Sequence, residues 1–80
     1  KSTFPALELG TWLKGKDYDE VELCGVVSYQ CVLANAVMVK AALPEAEVVV
    51  DAKCVAGPDP ALHQKALDVM EALHITVRNR

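Results

Sequence analysis

Three cysteines, two histidines and a scatter of carboxylates could do covalent chemistry in this sequence, and Cys31 has the most suggestive setting among them. It stands in GVVSYQCVLANA (residues 25–36), directly after a short polar stretch and before a long apolar run, where a helix ought to begin. The thiolate is the nucleophilic form of cysteine, and the positive end of a helix favours it. Amides left unpaired in a first helical turn can also hold a developing oxyanion. Packing is the competing role, because free cysteine is among the most buried residue types. No base neighbours Cys31 in the chain, so residue type and spacing leave both roles open.

The remaining reactive groups carry weaker signals. His63 and His74 show no zinc-type ligand pattern and read as structural or surface side chains. Cys24 falls inside a strand and Cys54 just after one; both are expected to be buried, inert thiols, with Cys54 able to share the sheet edge of Cys31. Asp51 ends a strand, where aspartates commonly organise loops. Trp12 and Tyr29 read as core or rim residues, with Tyr29 near enough to Cys31 to touch a substrate.

These groups must be positioned by the elements around them. Pro5 suits the first turn of a short helix ended by Gly15, with Leu9, Trp12 and Leu13 on one face. KGKDYDE then reads as a solvated loop. EVELCGVV alternates before turning apolar, as a strand does when its far end is buried on both faces. Gly25 lets the chain turn, Ser28 is the expected N-cap, and CVLANAVMVKAAL is a largely apolar helix with Lys40 near its C-terminal end and Pro44 beyond. AEVVVDA is a second strand, AGPDP a loop with Asp59 as N-cap, Pro60 to about Leu73 a helix, and ITV a last strand. Strands alternating with helices imply right-handed crossovers and a parallel sheet. The expected fold class is therefore α/β, a three-layer αβα arrangement whose ligands bind at the carboxyl ends of the strands. Cys31 falls there.

Composition bounds the function. Eighty residues make at most one small domain, and 52% hydrophobic with 24% charged residues excludes disorder. A net charge of −3 without a Lys/Arg cluster argues against nucleic acid and anionic membranes as partners. The apolar run from Val32 to Val39 is broken by Asn35 and is shorter than the roughly 18 residues of a membrane span, and no signal peptide is read. An odd cysteine count without framework spacing suits reduced thiols in the cytoplasm. A start at Lys1, with too few helices to cover a parallel sheet, leads us to expect a piece of a longer domain.

The stretch ELCGVVSYQCVLANAVMVKAALPEAEVVVDAKCVAG, followed by HQKALDVM, resembles the C-terminal half of the isochorismatase-like cysteine hydrolases, a group that includes nicotinamidases. The resemblance runs from about Glu20 to Val77 and makes residues 1–80 the C-terminal part of a single hydrolase domain with a partial isochorismatase-like fold. It implies cleavage of a small-molecule carboxamide through a thioester on Cys31, with Lys1 at the position of the catalytic lysine. It also implies a cis peptide at Val26-Val27, aiming the Val27 and Cys31 amides at one point as an oxyanion hole. Gln30 departs from relatives that carry an acid near the cysteine. The general base, an Asp, and the ligands of a divalent metal such as zinc would lie upstream, leaving no metal or other cofactor in this chain and little activity when it stands alone. A homo-oligomer of the full-length protein is the expected assembly. The alternative is a noncatalytic α/β binding or assembly module, which has no need of a thiol at Cys31.

Overall fold

The computed structural model describes residues 3–80. Its elements run α1 (Leu7–Lys14), β1 (Glu20–Val26), a π-turn (Ser28–Val32), α2 (Leu33–Ala42), β2 (Glu47–Ala56), α3 (Pro60–Ala72) and β3 (Thr76–Arg78). The strands form one parallel sheet in the order β1-β2-β3. This is the expected α/β architecture, with helices as the crossovers between neighbouring parallel strands.

Side-chain alternation divides the sheet into two chemically different faces. Val21 and Leu23 of β1, Val48 and Val50 of β2, and Val77 of β3 join one cluster with the helix residues Val32, Ala36, Val39, Ala66, Leu67 and Met70. Full burial of Leu67 and Met70 is worth roughly 1.5–3 kcal/mol per side chain. The alternate positions bring Glu20 opposite Glu47, Glu22 opposite Val49, and Asp51 opposite Arg78. On that second face Arg78 pairs with Glu20 at 2.9 Å and reaches Glu47 at 3.6 Å, while Thr76 donates to Glu47 at 3.1 Å. These exposed ion pairs order the face more than they stabilise it.

Two boundaries and the packing of α1 differ from the sequence reading. β2 does not stop at Ala52 but continues through Lys53 and Cys54 to Ala56. Leu23 pairs with Val50 whereas Gly25 pairs with Val55, so β2 carries extra residues opposite Cys24 before pairing resumes. The helical run after β1 opens at Ser28, with Val27 as its N-cap and a π-turn as its first turn. Ser28 is therefore not the cap; its hydroxyl is bonded elsewhere. In α1 only Leu13 is buried, while Trp12 is half-exposed, with Lys16 Nζ 4.4 Å above its ring and Tyr18 beside it.

Helix α3 begins as its sequence suggests. The Asp59 carboxylate accepts from the amides of Ala61 and Leu62 at 3.0 and 3.1 Å, and Pro60 supplies a first residue that has no amide hydrogen to satisfy. At the other end Arg80 folds back on Asp68 and Glu71 of α3. Lys40, near the end of α2, donates to the His74 carbonyl at 3.1 Å. Among the described residues, no helix is long and apolar enough to cross a membrane.

Candidate active site

The site forms where β1 runs out and the next helix begins. Gly25 has φ of +118°, in a region that side chains rarely adopt, so the end of β1 requires a glycine there. The Val26-Val27 peptide is cis, as the resemblance implies. Val27, still extended with φ −104° and ψ 139°, then caps the π-turn: its carbonyl accepts the amides of Gln30 at 3.0 Å and Val32 at 3.2 Å. These two bonds bracket Cys31, the fourth residue of the helical run.

Cys31 is half-buried on the wall of an open cleft of about 380 Å³. Glu22, Cys24, Gly25 and Val26 of β1 line one side, and Cys31, Val32 and Asn35 line the other. Asn35 holds the backbone of Cys31 itself, donating from Nδ2 to the Cys31 carbonyl at 2.8 Å. It is four residues on, one turn along the same helical face, so this pairing was open to detection from spacing. Glu22 supplies a carboxylate to the cleft wall.

The turn is fastened from behind by the loop after β2. Tyr29 points there: its hydroxyl accepts the Asp59 amide at 3.1 Å, and its ring lies over Gly57. A Cβ at Gly57 would come within 2.5 Å of Tyr29 Cε1 and 2.9 Å of Val27 Cγ1, so the glycine is what allows this close approach. Ser28 is fully buried, and its hydroxyl lies 2.7 Å from Nδ1 of His63 on α3. His63 also borders a small hollow with Val55, Ala56, Gly57 and Pro60.

The two other thiols correct the sequence reading. Cys24 and Cys54 are both exposed, not buried. Cys24 shares the face of Glu20 and Glu22, and Cys54 lies in the irregular part of β2. The negative charge of Asp51 is the leading cause that raises the Cys54 thiol above its ordinary value, with slight desolvation and a hydrogen bond to Asp51 acting the same way. Asp51 does organise its surroundings, accepting the Lys53 amide and the Asn79 side-chain amide, each at 2.9 Å. Lys1 lies outside the described residues. Among the described residues, no group of three or more His, Cys, Asp or Glu side chains could hold a metal ion. These residues do not fit a divalent metal.

The described residues thus set a half-buried cysteine in a cleft at the carboxyl end of a strand of a parallel α/β sheet, the edge at which open α/β sheets commonly bind ligands. The isochorismatase domain family model matches residues 1–79, and the chain belongs to that family, a hydrolase family in general. No curated protein and no solved structure matches the chain significantly.

Proposed function

We propose that this chain carries the nucleophile of a cytoplasmic cysteine hydrolase that cleaves a small-molecule carboxamide, with nicotinamide the leading candidate. The observation that carries the reading is the position of Cys31, half-buried on a cleft wall at the end of β1 in a chain of this family. Sγ of Cys31 attacks the amide carbon, and the Val27 and Cys31 amides stabilise the resulting oxyanion, each donor contributing on the order of 2.7–4 kcal/mol. The C–N bond breaks as a proton passes to the departing ammonia, and water then cleaves the thioester to the free acid. Lys1 takes the role of the family's catalytic lysine in this scheme. The proton carrier is an Asp outside these eighty residues, as is any metal of the full-length domain, which assembles as a homo-oligomer. The eighty residues alone therefore release little ammonia from nicotinamide.

The test separates the nucleophile from the missing base. An activated aryl ester of a small aromatic acid needs no protonation of its leaving group, so it can acylate Cys31 without the Asp. Mass spectrometry of the treated chain should find one acyl group, on Cys31 and absent from Cys31→Ala. Equal acylation of all three cysteines would instead favour a noncatalytic binding or assembly module.

A further inference from the structure

Ser28 is a fully buried polar residue whose hydroxyl has its partner thirty-five positions away, at Nδ1 of His63, 2.7 Å distant. A buried hydroxyl stripped of its partner costs about 1–3 kcal/mol, so this bond is not given up readily. Either tautomer of His63 keeps it, since a hydroxyl both donates and accepts. The bond ties α3 to the π-turn three residues before Cys31. A second tie from the same quarter, the Asp59 amide to Tyr29 Oη, fastens the next residue of the turn. On the far side Asn35 secures the Cys31 carbonyl. Both flanks of the nucleophile are thus held by side chains that stay out of the reaction.

We infer that His63 is a positioning residue for Cys31, holding through the Ser28 hydroxyl the turn that presents the thiol. The inference rests on the proposal that Cys31 is the nucleophile. His63 reaches the turn from behind and borders a hollow separate from the cleft of Cys31, so it acts without touching substrate. Val27, whose amide is assigned with that of Cys31 to the oxyanion, is bonded directly to Ser28, so displacing Ser28 moves the Val27 amide relative to Sγ. A misplacement on the order of 1 Å at a reacting centre can cost about 10²-fold in rate.

The test uses the whole chain with Ser28→Ala, His63→Leu and His63→Asn. Asparagine sets a side-chain amide near the place of Nδ1 and can keep the bond; leucine cannot. Alanine fills the Ser28 site less one oxygen, and His63 is half-exposed, so each variant retains a filled core. Iodoacetamide labelling of each cysteine is timed by peptide mass spectrometry at one fixed pH, alongside thermal melting. The expected result is a roughly tenfold slowing at Cys31 in Ser28→Ala and His63→Leu, with Cys24 and Cys54 within about twofold and Cys31 restored by His63→Asn. Unchanged labelling, a common change at all three thiols, or failure of His63→Asn to restore Cys31 would each reduce the pair to a stability element and overturn the inference. Labelling requires no turnover. A chain that forms no acyl enzyme yet shows this pattern loses the hydrolase proposal and keeps the tie; a chain acylated at Cys31 at an unchanged rate in every variant, with unchanged labelling, does the reverse.

Discussion

Replacing Gly57 with alanine tests the closest approach between the β2–α3 loop and the turn that carries Cys31. The new methyl would lie 2.5 Å from Tyr29 Cε1, 3.2 Å from Cδ1 of the same ring and 2.9 Å from Val27 Cγ1. The first and third distances are far inside the 3.5–4.0 Å of an ordinary carbon contact, so the ring and the valine must both retreat. Overpacking of this kind costs about 1–3 kcal/mol. A retreating ring also gives up the 3.1 Å bond from the Asp59 amide to Tyr29 Oη, which adds roughly 0.5–1.5 kcal/mol. For a domain of this size each kcal/mol lowers the melting temperature by about 4–8 °C, so Gly57→Ala should melt at least about 6 °C, and up to about 36 °C, below the parent chain. Gly15→Ala is the control: its added Cβ meets nothing within 4 Å, and φ is −93°, so the melting temperature should hold or rise slightly. Circular dichroism melts read both variants. Tyr29→Ala supplies a further check, because without the ring only the Val27 contact remains and the added cost of Gly57→Ala should fall. If Gly57→Ala melts with the parent chain, or costs as much without Tyr29 as with it, the loop does not bear on the turn and the tie described above loses half its basis.

Two further outcomes follow from single groups. The charge on Asp51 disfavours the Cys54 thiolate, so Asp51→Asn should move the pH of half-maximal Cys54 alkylation downward; an upward move or none would contradict that cause. Asp59→Ala strips the side-chain acceptor from the amides of Ala61 and Leu62, and chemical denaturation should register a loss of about 0.5–2 kcal/mol.

How much of this was legible in the sequence depends on the range over which each residue finds its partner. Asp59 and Pro60 act on amides two and three residues away, so the start of α3 could be read directly. Asn35 is four residues from Cys31 on one helical face and is equally open to detection, although in the sequence it first reads as a break in an apolar run. The exposure of Cys24 was written in EVELC, where alternation sets the cysteine with Glu20 and Glu22 rather than with Val21 and Leu23. The true end of β2 is hidden in the sequence because Asp51 and Lys53 resemble a strand end, while pairing beyond them depends on Gly25 and Val26 of another strand. Ser28 is the sharper case. As a serine before an apolar run it satisfies every local rule for an N-cap, yet its hydroxyl is bonded to a histidine that only the crossover through β2 brings near. Local spacing could locate the thiol and the helix that bears it. What holds that helix in place comes from α3 and the loop before it, and is therefore a property of the closed fold.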